Sequence, residues 1–341
     1  MLSNYPFNPS KSWLLGITLA GAFVVAPLCM AYTTVGSLAN SRVKPADISH
    51  LNSKLQKMAE SEIQAALKKY HATSAVVAIA DPKTGNLLAL AEAGTGNWKS
   101  RVFAPGSTIK PFIVAAAIDA GKSSERKSYE CSSPYRIEGR TFSDWSPSNK
   151  LMTLTEAFAK SSNVCLIKVA QDTGAPLIRK KLSEFGFDMN SWWDDKQSKL
   201  QLAQLSIGEI PFATIESLAK SYAILANNGS IFNKKDSAII SSATAKSVDH
   251  MLINAVTQGT GKQAAVSNWL VAGKTGTVGE SSDHYAQGKH FSLFAGYIPQ
   301  YAMVVIVEDG YVHYKGKILA SGGDIAAPVF RKVAMNSLNH I

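Results

Sequence analysis

The chain of 341 residues is long enough for two domains, and its 35 Lys and Arg against 25 Asp and Glu give a formal net charge of +10. A charge of this size suits an anionic partner surface and serves equally well for solubility alone. Aromatic residues interleave no basic cluster and the seven histidines show no ligand spacing, so the composition speaks against nucleic-acid binding and implies no metal or other cofactor.

The first predicted element is an apolar segment, Trp13 to Ala31, whose 19 residues carry no charge and are enough to span a bilayer. Two interpretations remain open. The segment is either an uncleaved transmembrane signal anchor or a signal peptide cut after Ser37-Leu38-Ala39, which has small residues at the two required places. The anchor is favoured, because the run is longer than a typical signal core. Residues 1–12 are then an N-terminal tail, and residues 32–46 are a linker.

A helix over about residues 48–70 and two strands, 74–80 and 86–92, are predicted next. The segment between the strands, Asp81 to Gly85, contains a K-T-G triplet. Its proline and glycine predict a hairpin turn, so this triplet is not assigned to a catalytic site.

Ser107 and Lys110 form an S-x-x-K motif at the start of an apolar run, Pro111 to Ala120, which Gly121 closes. Proline is tolerated in a first helical turn and glycine just past the last, so the run predicts a buried helix with Ser107 at its N-terminal end. Residues three apart share a helix face, which places the Lys110 amine beside the Ser107 hydroxyl. A serine nucleophile needs an adjacent base, and a desolvated lysine can serve because burial lowers its pKa.

The same S-x-x-K spacing recurs at Ser124 to Lys127 and at Ser217 to Lys220. The first copy lies in a charged stretch, where a lysine is solvated. The second is predicted inside an amphipathic helix over residues 215–227, where a mid-helix serine lacks free backbone N–H groups. Context therefore favours Ser107.

The second motif, Ser161-Ser162-Asn163, separates two predicted helices. The first opens with a capping-box pattern, Thr153 to Glu156, and the second covers residues 164–172. Ser161 could relay a proton between Lys110 and a leaving amine, and Asn163 could hold Lys110 and a substrate amide. The alternative is that the three residues only cap the second helix.

The third motif, Lys274-Thr275-Gly276-Thr277, lies on a strand predicted over residues 269–278. Glycine in a strand often marks the close approach of another backbone, here that of a substrate peptide. Lys274 would offer a positive charge to a substrate carboxylate, and the backbone N–H groups of Thr277 and Ser107 would form an oxyanion hole. The alternative is an ordinary edge strand with a solvated lysine.

Further strands at 291–298 and 302–308 and a last helix at 326–338 complete the predicted elements. Strands from both ends flank a largely helical middle, 107–258. This order predicts an α+β fold in which one mostly antiparallel sheet is packed by helices on both faces and carries a large helical subdomain. Cys131 and Cys165 either pair in an oxidising compartment or, since Cys165 is on an apolar helix, serve as core residues.

Taken in this order, the three motifs resemble those of the penicillin-binding D,D-transpeptidases, the enzymes that cross-link peptidoglycan. The resemblance covers about residues 47–341, expected to be one transpeptidase domain. The segments that carry it are Pro105 to Phe112, Ser161 to Val164 and Ala272 to Thr277, with support from Asp81 to Gly85, Phe294 to Tyr297 and Ala326 to Phe330.

The resemblance implies a role for each motif residue. Ser107 is the acylated nucleophile and Lys110 its base. Ser161 and Asn163 form the second active-site element. The remaining residues form the carboxylate-binding and oxyanion side: Lys274, Thr275, Gly276 and Thr277.

The resemblance also implies a single-pass protein of the bacterial inner membrane with its catalytic domain in the periplasm. It implies action on peptidoglycan stem peptides, covalent inhibition by β-lactams and a place in an envelope protein complex. A D,D-carboxypeptidase, a serine β-lactamase, and a non-catalytic β-lactam sensor or scaffold remain alternatives. Against the β-lactamase, no class A type Glu-x-x-x-Asn segment lies between the second and third motifs, and Asn163 stands where class D enzymes have an apolar residue.

One segment departs from the family pattern. The family commonly has Gly-Gln-Gly followed by Thr-Pro before the helix that precedes its third motif. Here residues 206–215 keep the first glycine, Gly208, but have Ile210 in place of the second and no Thr-Pro proline. The specificity for donor and acceptor peptides therefore stays open.

Overall fold

The structure is a computed structural model that describes residues 44–146, 151–190, 198–233, 237–279 and 290–338. The predicted anchor, Trp13 to Ala31, and the tail before it lie outside the described residues, as does the linker up to residue 43. Within the described ranges, no helix combines the length and apolar character needed to cross a membrane.

The strands are short except for five that build the main sheet. The strands are β1 (Ser74–Ala80), β2 (Leu87–Gly94), β3 (Val102–Phe103), β4 (Ser128–Glu130), β5 (Tyr135–Ile137), β6 (Arg140–Phe142), β7 (Leu151–Thr153), β8 (Ala213–Thr214), β9 (Ala272–Gly279), β10 (His290–Ile298), β11 (Tyr301–Glu308), β12 (Val312–Tyr314) and β13 (Lys317–Leu319).

The helices lie mostly in the middle of the chain. They are α1 (Ser53–Lys69), α2 (Lys110–Asp119), α3 (Leu154–Ala159), α4 (Asn163–Thr173), α5 (Ala175–Glu184), α6 (Lys199–Ile207), α7 (Ile215–Ala226), α8 (Ser242–Thr257) and α9 (Ala326–Ser337), with 3₁₀ turns at Gly106–Ile109 and Lys262–Ala264.

The main sheet joins the two ends of the domain. Its strand order is β2-β1-β11-β10-β9, and every pairing is antiparallel. Strand β1 pairs with β11 from Ser74 opposite Glu308 to Ala80 opposite Ala302. All seven residues of β1 are buried, because helices cover both faces of the sheet. The predicted α+β fold with an antiparallel sheet is confirmed.

Alternate residues of β1 enter two separate cores. Val76 and Ala78 pack with the helical middle of the chain, where α2, α7 and α8 contribute buried side chains. Val77 and Ile79 pack on the opposite face with α1 and α9. The motif-bearing elements therefore lie on the first face, between the sheet and the helical subdomain.

Most predicted boundaries are shifted by a few residues. Helix α1 begins at Ser53 rather than near residue 48, because the Asn52 side chain accepts hydrogen bonds from the first backbone N–H groups and so caps it. The ribbons β4–β7 and β5–β6 within the helical middle were not predicted. Three-residue strands are too short to show a period of two.

The prediction that Ser217 lies in mid-helix is wrong. Ser217 lies in the first turn of α7, where it forms a capping box with Thr214. Its hydroxyl oxygen accepts from the Thr214 N–H at 3.0 Å, and Lys220 pairs with Glu216 at 2.6 Å. The Ser217 hydroxyl and the Lys220 amine are therefore both engaged in contacts at the start of α7.

Candidate active site

The nucleophile turn is a 3₁₀ helix, Gly106–Ile109, that runs directly into α2. Ser107 is half-buried, whereas the first eight residues of α2 are buried. The Tyr222 hydroxyl donates to the Thr108 carbonyl at 2.8 Å, and the Thr108 hydroxyl donates to the Pro105 carbonyl at 2.6 Å. These buried bonds fix the turn that presents Ser107 at the start of an apolar helix, as predicted.

Lys110 lies one turn after Ser107, and its backbone N–H donates to the Ser107 carbonyl. The side chain is fully buried. Its amine donates to the Ser161 carbonyl and to Asn163 Oδ1, both at 2.8 Å, and more weakly to Ser161 Oγ at 3.4 Å. Burial lowers the pKa of Lys110 to about 7, against an opposing effect of the Asp144 charge. A neutral amine is thus accessible near neutral pH, although its hydrogen bonds go to the second motif and not to the Ser107 hydroxyl.

The residues of the second motif make different contacts. Ser162 is the N-cap of α4, and its oxygen accepts from the Cys165 N–H at 3.1 Å. Ser161 adopts a left-handed backbone conformation, with φ of +58°, and directs both its carbonyl and its hydroxyl to buried amines. The interpretation that the motif only caps a helix is therefore correct for Ser162 alone.

Asp144 holds the second motif in place, and the sequence reasoning missed it. Its carboxylate accepts from the Ser162 hydroxyl at 2.7 Å and from the backbone N–H groups of Asn163 and Val164 at 2.6 and 3.0 Å. The carbonyl of Ser143 accepts from the Asn163 side-chain amide at 3.0 Å. An anion at a helix N-terminus is favourable, but Asp144 reaches this one across 18 residues, which no local pattern reveals.

Lys274 reaches the same serine from the sheet. It lies on β9, the strand at one edge of the sheet, yet its side chain is fully buried. The amine donates to Ser161 Oγ at 2.8 Å and to the Thr275 carbonyl at 3.1 Å, and it lies 5.9 Å from the Phe158 ring centroid. The alternative of a solvated lysine is therefore wrong.

Burial, with the Lys110 charge as a second cause, lowers the pKa of Lys274 well below its ordinary value. This environment therefore does not by itself keep the Lys274 amine positively charged, contrary to the expectation from sequence. A substrate carboxylate brought against the amine would raise the pKa again, because an opposite charge favours the protonated form.

The rest of the third motif faces the nucleophile turn and a second loop. A β-carbon at Gly276 would lie 3.1 Å from Thr108 Cγ2 and 3.3 Å from the Pro105 carbonyl oxygen. The start of the nucleophile turn therefore lies close to this glycine. Thr275 Oγ1 lies 2.5 Å from the Oγ1 of Thr260, a residue outside the three predicted motifs. The Thr277 hydroxyl accepts from the Gly322 N–H at 3.0 Å.

Gly208 supports the nucleophile turn from the helical side. It ends α6 in a left-handed conformation with φ of +81°, and its carbonyl accepts from the Gly106 N–H at 2.9 Å. A β-carbon at Gly208 would overlap the Gly106 carbonyl. The segment that departs from the family pattern therefore packs directly against the turn that carries Ser107.

Cys131 and Cys165, whose pairing the sequence left open, form a disulfide. Both residues are fully buried. The bond joins the segment after β4 to α4, the helix whose N-terminus carries Asn163. Pairing and core packing are therefore both realised.

The assembled site combines the Ser107 hydroxyl at a helix start with two buried amines. Both amines, of Lys110 and Lys274, donate to the Ser161 hydroxyl. Such a set can remove a proton from a nucleophile and return it to a leaving group, as acyl transfer requires. In the part of the chain that the structure describes, no group of three or more His, Cys, Asp or Glu side chains could hold a metal ion.

Residues 75–335 match the family described as the penicillin binding protein transpeptidase domain. Among solved structures, the chain is similar to the transpeptidase domain of the FtsI4 D,D-transpeptidase from Legionella pneumophila. The identity is 50%, the TM-score is 0.73, and the match covers 86% of this chain and 99% of that one. The apo transpeptidase domain of penicillin-binding protein 3 from Burkholderia pseudomallei shares the fold, with a TM-score of 0.74 at 24% identity, over 87% of this chain and 96% of that one.

Two curated relatives are more distant in sequence. The probable peptidoglycan D,D-transpeptidase PenA of Neisseria flavescens is 28% identical over 86% of this chain and 82% of its own length. The peptidoglycan D,D-transpeptidase FtsI of Escherichia coli K12 is also 28% identical, over 82% of this chain. The chain spans about half the length of the latter relative, 54%.

Proposed function

The chain belongs to the penicillin binding protein transpeptidase domain family, and we propose that it is a peptidoglycan D,D-transpeptidase that cross-links stem peptides through an acyl-serine intermediate. The observation that carries the proposal is the placement of Ser161 between two buried amines, with Lys110 one turn from Ser107. Three of the proteins named above, from Neisseria flavescens, Escherichia coli and Legionella pneumophila, are named as D,D-transpeptidases.

In the first half-reaction, the Ser107 oxygen attacks the carbonyl carbon between the two terminal D-residues of a donor peptide. Neutral Lys110 takes the hydroxyl proton, and the pKa of about 7 makes that form available. The C–N bond then breaks, and the terminal residue leaves as an amine that receives the proton through the Ser161 hydroxyl. The products are an ester on Ser107 and a free amino acid.

In the second half-reaction, the amine of an acceptor stem peptide attacks the ester carbonyl and forms the new amide bond. Its proton passes back through the same groups to the Ser107 oxygen, which leaves. The backbone N–H groups of Ser107 and Thr277 would stabilise the oxyanion in both steps. Lys274, Thr275 and the Gly276 backbone would hold the substrate carboxylate, and Asn163 a substrate amide.

We further propose that the protein is anchored in the bacterial inner membrane by residues 13–31, with a catalytic domain over residues 47–341 in the periplasm. The disulfide between Cys131 and Cys165 supports an oxidising compartment. The anchor itself rests on the sequence alone.

The test combines covalent labelling with a transfer assay. After incubation with penicillin, mass spectrometry should find one stable adduct, located on Ser107. Ser107→Ala should abolish the adduct, and Ser217→Ala, which changes the rival serine in α7, should leave it intact. Labelling that survives in Ser107→Ala would contradict the assignment of the nucleophile.

The transfer assay offers a donor peptide together with an acceptor amine. A cross-linked product supports the transpeptidase. Release of the donor acid alone would identify a D,D-carboxypeptidase, and rapid turnover of penicillin a β-lactamase. A stable adduct without any peptide reaction would identify a sensor or scaffold.

A further inference from the structure

An ion pair outside the predicted motifs connects the two halves of the site. Arg140, the first residue of β6, donates from Nη1 and Nη2 to Glu209 Oε2 and Oε1 at 2.6 and 2.5 Å. The two residues are 69 positions apart, and their side chains are 34% and 24% exposed. Gln204 Nε2 donates to the same carboxylate at 3.3 Å, and the guanidinium lies 4.9 Å from the Phe142 ring centroid. A two-pronged Arg–carboxylate pair fixes orientation as well as distance.

On one side, the pair reaches the nucleophile. Glu209 directly follows Gly208, whose carbonyl accepts from the Gly106 N–H at 2.9 Å, and Gly106 precedes Ser107. A β-carbon at Gly208 would overlap the Gly106 carbonyl, so the two backbones are in close contact as well as hydrogen-bonded. A displacement of Glu209 would therefore move the turn that presents Ser107.

On the other side, the pair reaches the second motif. Strand β6 ends at Phe142, and the next two residues, Ser143 and Asp144, hold the Asn163 amide, the Ser162 hydroxyl and the start of α4. A small apolar cluster backs this ribbon, in which Phe142 and Ile137 pack with α4 and α6. A displacement of Arg140 would therefore move the residues that hold Lys110.

We propose that Arg140 and Glu209 are positioning residues for acylation of Ser107. Their ion pair sets the spacing between the nucleophile turn and the group formed by Lys110, Ser161 and Asn163. The inference rests on the proposed function in that it assumes an acyl-serine site, but it does not depend on which acceptor the acyl group reaches.

The magnitudes separate this role from ordinary stabilisation. A partly exposed ion pair typically changes stability little, whereas a misplacement of about 1 Å in an active site can slow a reaction about 100-fold. Loss of the pair should therefore slow acylation strongly with little effect on thermal stability. A merely structural role would show the reverse.

The experiment measures the acylation rate constant and the dissociation constant of the preceding complex from saturation kinetics with a fluorescent penicillin on the full chain. The variants are Arg140→Gln, Glu209→Gln and the double variant. Asp172→Asn is the matched control, because it also converts a carboxylate to an amide in an ion pair, with Lys127 at 2.8 Å, and lies on α4.

We expect each single variant to lower the rate constant about 10- to 100-fold with an unchanged dissociation constant. The double variant should be no slower than the slower single variant, because both changes break one interaction. Asp172→Asn should match the wild type. Single variants within twofold of the wild type, multiplied losses in the double variant, or an equal loss in Asp172→Asn would overturn the inference.

Failure of the proposed function has a different signature. A wild-type protein that is acylated on Ser107 but never cross-links peptides would overturn the transpeptidase and leave the positioning role to be decided by the variants. A wild-type protein that is not acylated at all would overturn both.

Discussion

At the scale of single residues, the chemistry depends on how the fold treats two lysines. Both amines are buried and both contact Ser161 Oγ, at 3.4 Å from Lys110 and 2.8 Å from Lys274. Desolvation lowers the pKa of both amines, and the Lys110 charge lowers that of Lys274 further. A residue that is ordinarily a protonated ammonium group can therefore act as a base here.

This environment predicts how acylation depends on pH. The folded pKa of Lys110, about 7, lies below its ordinary 10.5, so the neutral base accumulates as pH rises through 7. The rate constant for penicillin acylation should therefore climb about tenfold per pH unit below pH 7 and level off above it. Stopped-flow fluorescence from pH 5.5 to 9 measures this profile.

The control for the pH profile is Lys110→Arg. A guanidinium stays protonated, so this variant should acylate very slowly at every pH. A wild-type rate that keeps climbing tenfold per unit up to pH 9 would indicate a base with an ordinary lysine pKa and contradict the assignment.

Ser161 allows a second prediction at this scale, because its left-handed backbone affects stability whereas its hydroxyl is proposed to act in acylation. A non-glycine residue in the left-handed region costs about 1–2 kcal/mol, and Ser161 has φ of +58°. Both Ser161→Gly and Ser161→Ala should lose most of the acylation rate, since both lack the hydroxyl. Urea unfolding should find the glycine variant more stable than the alanine variant by about 1 kcal/mol. An alanine variant that is equally stable would show that the backbone is not strained.

The convergence of the three motifs was predictable from the sequence, because S-x-x-K, S-x-N and K-T-G occur at a helix start, a helix junction and a strand. Asp144 and Thr260 were not predictable. Each acts on a motif from a distant segment, by a hydrogen bond whose partners have no fixed spacing in the chain. Only the folded chain brings these groups together.

At the scale of elements, the strands of the main sheet were predictable to within two or three residues, because their apolar runs end at clear turn residues. The turn at Asp81 to Gly85 joins β1 to β2 as its proline and glycine predicted, with the Gly85 N–H donating to the Asp81 carbonyl at 2.8 Å. The ribbons β4–β7 and β5–β6 were invisible in the pattern. Strand β4 pairs with the distant β7, whereas β5–β6 is a local hairpin whose three-residue strands are too short to show a period of two. Strand β6 leads to the residues that hold the second motif.

The contact of α6 with the nucleophile turn predicts a defect specific to Gly208. Gly208→Ala should destabilise the domain through the left-handed φ of +81° and also push the Gly106 backbone away, which displaces Ser107. Gly186→Ala is the matched control, because Gly186 also follows a helix with φ of +95° but has nothing within 4 Å of the added methyl group.

Urea titration should show a loss of roughly 1 kcal/mol of unfolding free energy in both variants from the left-handed backbone conformation. Gly208→Ala should lose more, because its methyl group overlaps the Gly106 carbonyl. Only Gly208→Ala should also lower the rate constant for acylation by penicillin, by about 10-fold or more if Ser107 moves by about 1 Å. Equal acylation rates in the two variants would mean that the contact does not position Ser107.

At the scale of the whole molecule, the order of elements along the chain was enough to predict the sheet. Strands at both ends of the domain are expected to share one sheet when they belong to one domain, and β1 does pair with β11 over its full length. The order did not determine which helix covers which face, nor whether Cys131 reaches Cys165. Those depend on how the helical middle folds back, which periodicity does not encode.

The proposed membrane anchor, Trp13 to Ala31, lies outside the described residues. Residues 32–46 are the only chain between the apolar segment and the proposed domain, and 15 residues reach at most about 50 Å when fully extended. The site would therefore work close to the outer face of the membrane. To reach the wall from there, the domain would need an envelope partner that redirects it. Gly16, Ala20 and Gly21 are small enough to permit close packing of the segment against another helix.

We accordingly predict that the native protein stays in the membrane fraction and that its apolar segment contributes partner contacts as well as attachment. Replacing Trp13 to Ala31 by an unrelated transmembrane helix should preserve attachment, measured by fractionation, and reduce wall cross-linking, measured by peptide analysis of the sacculus. A Gly16→Leu change in the native segment should reduce cross-linking in the same way, because a bulky side chain blocks close helix packing. Unchanged cross-linking in both variants would reduce the segment to a passive anchor. A mature N-terminus at Asn40 would remove the anchor altogether, because the signal would then have been cleaved after Ala39.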